Sequence, residues 1–524
     1  MLRVLSFLMF LFLPQTASAA WHEASSDHFI IYSNDSSENI RNFAARLEQF
    51  DSALRLVTSA PKIPASASSR VTIYIVDDMG DIRRLAGIRS VAGFMENRAS
   101  GSVAFVPRRA DTGRYSLNAQ TVLLHEYAHH FMYQSWGNTV VPLWFSEGFA
   151  EFYATATFED DGKLVLGTAP RYRAWGMLDA SILPARTMLK LNPGRLSDEQ
   201  TAALYARGWL AIHYLAMEPE RAKLLRTYLN AINSGTDADT ASAVFGDSRA
   251  FDQALNRYIR QRKLPALGIK SGLDPGAVAV RPLTPGEAAT MEVSIRSTRG
   301  VSEKTAPLVA AEARKAAAAY PDDAGAQNVL AEAEYDAGNH AAAEAAADRA
   351  LRADPKSIHA MIYKGLSAQA RLLAKADTKD TDWREVRRWY LAANRIDPEY
   401  AWPLILYYQS FGAAGQPVTA NAESGLLYAH ALAPFDYGLR ILATRLLIGQ
   451  QKLAEARVAI APIAYSAEQG AAQRDWAMSV MRALDAMDGK AALAAMDSTP
   501  DDNKQVPAEG EKAYRGKRTH PDIS

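Results

Sequence analysis

Three histidines and a glutamate fall within six residues, HEYAHH from His125 to His130, inside the apolar run TVLLHEYAHHFMY. Apolar residues on every side mark a buried helix, where histidine is a poor helix former and an awkward core residue. The whole chain holds 10 histidines. Three in one buried turn need either separate hydrogen-bond partners or something in the interior that binds them. His125 and His129 are four apart, so on a helix both imidazoles leave the same face. Glu126, one residue round from the first, can reach a water held between them, which is the physical content of the pattern H-E-x-x-H. His130 points away from that face and reads as a hydrogen-bonded structural histidine.

Two histidines make an incomplete zinc site, so a third ligand is required. After His129 come a turn at Gly137-Asn138 and then VPLWFSEGFAEFY, with Pro142 suited to the first position of a new helix. The first helix runs roughly 10 Å beyond His129, and Glu147 lies roughly 8 Å into the returning one. Antiparallel packing brings them level. Glu147 then completes two imidazoles and one carboxylate, leaving a fourth position for water. Glu151, four residues on, points the same way and suits a supporting role, accepting the free N–H of His125 and fixing its tautomer. Buried structural histidines are the bland alternative.

HEYAH followed by WFSEGFAEF resembles the gluzincin zinc metallopeptidases, in particular the aminopeptidase N group, whose pattern is HExxH and then LWLNEGFA. The gap from His129 to Glu147 is one residue shorter than is usual there. The resemblance implies one Zn2+ per chain, with His125, His129 and Glu147 as ligands and Glu126 as catalytic base. LYARGWLAIHYL, from Leu204 to Leu215, is similar to the group's YEKG segment and puts Tyr205 where its transition-state tyrosine stands. GFMEN, Gly93 to Asn97, is similar to its G-x-M-E-N segment and implies that Glu96 binds a substrate's amino terminus. The following RASGSVAFVP departs from the aminopeptidase sequence, and the β-saddle domain of the large aminopeptidases is not expected ahead of the catalytic part. The likeness covers about residues 21–264, is best near 93–215, and speaks for the class more than for an aminopeptidase.

The rest of the chain sets the frame. At 524 residues it is too long for one core. MLRVLSFLMFLFLPQTASAA reads as a leader over 1–19, with Ala17-Ser18-Ala19 as cleavage site, a retained interfacial anchor being the alternative. Export to a periplasm or the outside follows, with no transmembrane span after leader removal. The absence of cysteine excludes disulfides, thiol catalysis and Cys-ligated zinc. Lys+Arg 58 balances Asp+Glu 58, so nothing points to nucleic acid. HFIIYSN, RVTIYIVDD and GSVAFVP read as strands, and SENIRNFAARLEQFDSALRLV as a helix with Ile40, Phe43, Leu47, Phe50 and Leu54 on one stripe. Asp77-Asp78 reads as a solvated turn, and Arg108-Arg109 and Arg171-Tyr172-Arg173 as surface cations, although either pair could hold a peptide carboxylate.

Residues 265–304 read as a linker that packs on another part of the chain, with one possible strand, MEVSIRS. Beyond it YPDD, ADPK, IDPE and LAPF place prolines at 321, 355, 398 and 434, with the excess of the middle spacing in the polar stretch from Ala374 to Asp382. Between prolines lie two amphipathic helices with small residues at the crossing. This resembles tetratricopeptide repeats, against a reading as low-complexity alanine-rich helix. Such an array packs mainly with its own neighbours, so a cut near residue 300 should leave a soluble zinc domain. The expected fold class is an α+β zincin-like metallopeptidase domain (20–264), then the linker, an all-α tetratricopeptide-like solenoid (305–497) and a disordered tail (498–524). The expected function is an exported zinc peptidase acting on a peptide or protein substrate, with an unidentified protein partner on the repeats. The alternative is a zinc-binding, catalytically weak or inactive scaffold that acts through those repeats.

Overall fold

The computed structural model describes residues 21–63, 65–87, 93–108, 119–191, 193–194, 196–466 and 470–498. The expected leader, nearly all of the expected tail and Arg109 lie outside the described residues.

Strands β1 (His22–Ser25) and β2 (Phe29–Ser33) lead into helix α1 (Ser37–Thr58). Then come β3 (Val71–Val76), α2 (Met79–Ala86), β4 (Phe94–Glu96) and β5 (Ser102–Pro107). Strands β2, β3 and β5 are parallel, with Phe29 opposite Val71 and Val71 opposite Ser102. β4 closes one edge antiparallel to β5, Phe94 facing Phe105. The near-continuous apolar run of β3 follows from burial on both faces. Val71 and Ile73 join the core that holds Leu47 and Phe50 of α1, whereas Tyr74 and Val76 pack with Phe105 on the other face. Helix α1 starts where the Ser36 side chain accepts the Asn39 N–H, and it buries Ile40, Leu47, Phe50 and Leu54. Asp78 caps α2 reciprocally with Asp81, while Asp77 lies 3.5 Å from Arg108, so neither acidic residue is gathered into a cation site.

Helices α3 (Ala119–Ser135) and α4 (Leu143–Ala154) follow, with Pro142 at the N-cap of α4 rather than inside it. Strands β6 (Thr157–Phe158) and β7 (Leu164–Leu166) come next. They precede helices α5 (Ala174–Leu178), α6 (Ala185–Met188), α7 (Asp198–Ala216), α8 (Pro219–Asn233), α9 (Ala238–Ser242) and α10 (Ser248–Ile259).

The expected linker packs on the first domain and holds three elements, and its possible strand is corrected. Strand β8 (Leu267–Ile269) joins β7, strand β9 (Ala279–Pro282) pairs with β1 at the far edge of the main sheet, and MEVSIRS is helical within α11 (Pro285–Arg299). Thr284 and Glu287 form a reciprocal capping box and Pro285 opens the helix. That start signal outweighs the short alternation that suggested a strand. Met291, Val293 and Ile295 are buried, the first and last against the sheet face that carries Tyr74 and Phe105.

The rest of the described chain is helix pairs. α12 (Ala306–Ala317) packs on α11. Then come α13 (Ala324–Asp336) with α14 (His340–Ala353), α15 (Ile358–Leu373) with α16 (Asp380–Ile396), and α17 (Ala401–Ala413) with α18 (Ala420–Leu432). α19 (Tyr437–Gly449) with α20 (Leu453–Ala464) and α21 (Ala471–Asp485) with α22 (Gly489–Asp497) end the array. Each of the four prolines stands just before the first helix of a pair, and the extra length of the second unit is shared between α15, α16 and the connection between them, so the expected placement in the polar stretch is met only in part. Fully buried Ala346, Ala347 and Ala350 let these helices approach closely. No helix among the described residues is long and apolar enough to cross a membrane.

The array does not stand apart. Asp397 accepts the Ala67 N–H at 3.0 Å, Tyr400 donates to the Ser100 carbonyl at 2.9 Å, and Asp436 accepts the Ala99 N–H at 2.8 Å. Buried Arg440, which donates to the Gly137 carbonyl, is held down to about 10 by desolvation. One apolar core runs from Leu123 and Trp144 through to Ile460, Trp476 and Met496. A cut near residue 300 would therefore open a continuous core. The expected separability is corrected, because the last pairs bury apolar surface on the first domain as well as on their neighbours.

Candidate metal centre

Helix α3 is buried nearly all round, which explains its lack of an exposed polar stripe. Its motif residue Tyr127 donates to Asp51 of α1 at 2.8 Å, so the turn carrying the histidines is tied to the helix beside it. α4 returns alongside α3 and brings Glu147 to the two rings. His125 Nε2 and His129 Nε2 lie 3.2 Å apart, and Glu147 Oε2 lies 3.5 Å from the first and 3.4 Å from the second. Metal–ligand bonds of about 2.0–2.2 Å at tetrahedral angles give edges of about 3.3–3.6 Å. The donor set therefore fits a small tetrahedral cation. Glu147 Oε2 is also buried without a hydrogen bond of normal geometry, a costly state unless an ion occupies the centre of the triangle. Burial raises the Glu147 pKa, but the His129 and His125 rings more than offset it and hold the carboxyl well below the usual range.

The other nitrogen of His129 meets Ser146: Nδ1 lies 3.2 Å from Ser146 Oγ, which lies 3.1 Å from the Tyr133 hydroxyl. Sequence reading missed this support; the signal was that Ser146 immediately precedes Glu147 and faces back toward α3. Glu151 lies 3.6 Å from His125 Nδ1. Its carboxylate accepts hydrogen bonds from Arg173 Nε and Nη2 at 2.9 and 2.7 Å and from the Tyr172 hydroxyl at 2.8 Å. Arg173 of the RYR segment is thus committed to the site's support and not to the open surface.

Tyr205, on α7, stacks on His125 with ring centroids 5.9 Å apart, and the Arg173 guanidinium sits 4.6 Å over its ring. The charge of Glu147, then burial and the charge of Glu126, hold its phenol protonated well above the ordinary range. Glu126 is half-buried on the turn that carries His125, and its charge adds to the upward push on Tyr205. A glycine crossing sets this approach. A Cβ on Gly148 would stand 2.4 Å from the Gly208 carbonyl carbon, and one on Gly208 would stand 2.7 Å from the Trp144 carbonyl oxygen. α4 and α7 meet backbone to backbone, which places Glu147 and Tyr205 across one cleft.

Glu96 is not brought to this site. On β4 it shares a side with Phe94, on the sheet face opposite α3. There its carboxylate pairs with Arg98 and lies 3.0 Å from Arg299 of α11. The expected role in binding an amino terminus is corrected: strand alternation turns the side chain away, and a cation from the linker's helix captures it. Asn97, the next residue, is on the metal-helix side and lies 2.9 Å from His130 Nδ1. Burial pushes His130 down to about 3, and the ring packs on Phe435 of the array, as a structural histidine would.

No family model matches the chain, and no curated protein matches it. Among solved structures, a thermophilic TPR protein of Thermus thermophilus aligns at 18% identity over 37% of this chain and 96% of its own, with a TM-score of 0.29. At that score the helix pairs themselves, not the match, carry the description of the array as helical repeats.

Proposed function

We propose that this chain is a gluzincin-type zinc peptidase that hydrolyses peptide bonds of a peptide or protein substrate. The observation that carries the reading is the triangle of His125, His129 and Glu147, with Tyr205 stacked on His125 and Glu126 on the turn that carries His125. A zinc ion held by those three residues would supply Lewis acidity at the scissile carbonyl and lower the pKa of a water. Glu126 takes the proton of the attacking water and passes it to the leaving nitrogen. The Tyr205 hydroxyl, kept protonated by its acidic neighbours, donates to the oxygen on which negative charge develops. Ser146 and Glu151 hold the two imidazoles, and Arg173 steadies both Glu151 and the Tyr205 ring. The leader read in residues 1–19 assigns this activity to the periplasm or the outside.

With Glu96 engaged by Arg98 and Arg299, no described residue in this reading is assigned to a substrate's amino terminus, and we take internal peptide bonds as the expected targets. The test is turnover of a mixed peptide library by purified protein carrying one zinc per chain. Chelator-sensitive cleavage that disappears in Glu126→Gln is the expected result. Stoichiometric zinc without any cleavage would favour the scaffold, acting through its repeats on a protein partner.

A further inference from the structure

The two ligand helices are joined by one short turn, and the repeat array holds that turn. His125 and His129 stand on α3 and Glu147 on α4, and the chain between the helices runs from Trp136 to Pro142. One side of the turn is gripped from within the first domain. Asn233 of α8 accepts the Val140 N–H at 2.8 Å and donates to its carbonyl at 3.0 Å. The other side meets α19. Arg440, only 2% exposed, donates through Nη2 to the Gly137 carbonyl and through Nη1 to the Ala459 carbonyl at 3.1 Å. It stands just past the end of α3, whose last turn has no cation of its own, where a positive charge is favoured. Pro434, the proline before α19, closes on the same glycine: a Cβ on Gly137 would stand 2.4 Å from the Pro434 Cβ. The seam leaves no room for a methyl group.

A second contact runs from the array to a ligand itself. Tyr133, four residues after His129, has its ring 6.0 Å from the His129 ring and within 10° of parallel. It also packs against the array cluster that holds Phe435 and Leu439. Its hydroxyl lies 3.1 Å from Ser146 Oγ, which lies 3.2 Å from His129 Nδ1. We propose that the repeat array is a working part of the metal centre, with Arg440 and Tyr133 as its positioning residues. The inference rests on the metal triangle of the peptidase reading and deepens it. Arg440 fixes the turn, and with it the offset of α4 against α3 that sets how far Glu147 lies from the two rings. Tyr133 carries the packing of the array to Ser146, and thus to the orientation of His129. The triangle has edges of 3.2, 3.4 and 3.5 Å, and a shift of about 0.5 Å in either helix spoils it. The repeats are then more than a surface for a partner, because the ligand helices depend on them for one side of their turn.

Zinc affinity of the full-length chain, measured by competition with a chromophoric chelator, tests this without turnover. Arg440→Met keeps most of the side chain's bulk and removes both donors, and zinc binding weaker by about tenfold or more is expected. Tyr133→Phe keeps the ring and loses the hydroxyl that meets Ser146, with a weakening of about three- to tenfold. Tyr400→Phe is the control, since it removes a hydrogen bond of the same domain–array seam, to the Ser100 carbonyl rather than to the turn. It should lower stability in denaturant unfolding and leave zinc affinity as in the wild type. A folded Arg440→Met whose zinc affinity stays within about twofold of the wild type would overturn the proposal, as would an equal loss in Tyr400→Phe. If Arg440→Met does not fold, the same criterion is read on Tyr133→Phe. A wild-type chain that takes up no zinc would instead defeat the reading of the triangle. One that holds zinc without cleaving any peptide would defeat the peptidase and leave the positioning intact.

Discussion

Helices α3, α4 and α7 and the edge strand β4 each carry a short motif pointing to the same chemistry, yet only the helices build the site. On the helices the geometry is local: a separation of four sets two rings on one face, and a single turn brings the third candidate ligand back. On β4 the side that a residue takes depends on strand pairing, and its partner comes from elsewhere. Glu96 alternates onto the face where Arg299 waits about two hundred residues downstream. A motif on a helix pair thus says more about a site than an equally long motif on a strand.

The largest expected break of this comparison is on the helices. His125→Ala should abolish stoichiometric zinc, as two remaining protein ligands hold the ion poorly, and metal analysis of the purified variant reads it directly. Tyr205→Phe should keep the metal and lower kcat about a hundredfold, the loss of one donor to the developing oxyanion. On the strand the expected effect is on stability. Glu96→Gln leaves Arg299, which is 6% exposed, without its buried carboxylate, at a cost of about 3 kcal/mol read by denaturant unfolding. The smallest effect is a ratio near one: acetylating a peptide's amino terminus should leave kcat/KM unchanged within a few-fold. A tenfold loss on acetylation would bring Glu96, or another acidic residue, back into substrate binding.

The ligand triangle, the strands β2, β3 and β5, the helix α1 and the period of the helix pairs were legible in the sequence because each rests on spacing over a few residues. Ser146 was visible only once α4 was known to lean on α3. The glycine crossing of Gly148 and Gly208 was hidden for a different reason: neither residue needs an unusual backbone, and only the approach of two distant helices demands the missing Cβ. The elements of the linker were missed because two short strands and one capped helix are short signals, and their partners, β7, β1 and the sheet face, lie far back in the chain. The docking of the last helix pairs has no local signature at all. Leu453, Ile460 and Val480 look like any repeat interior, and nothing in their spacing tells which neighbour they bury.

The central claim is that Glu147 binds the metal while Glu126, on the turn that carries His125, only moves a proton. Metal content of the full-length wild type, Glu126→Gln and Glu147→Gln, purified side by side, tests this most directly. One zinc per chain in the wild type and in Glu126→Gln, with a severe loss in Glu147→Gln, is the expected result. Loss of zinc from Glu126→Gln with retention in Glu147→Gln would reverse the two roles and contradict the account.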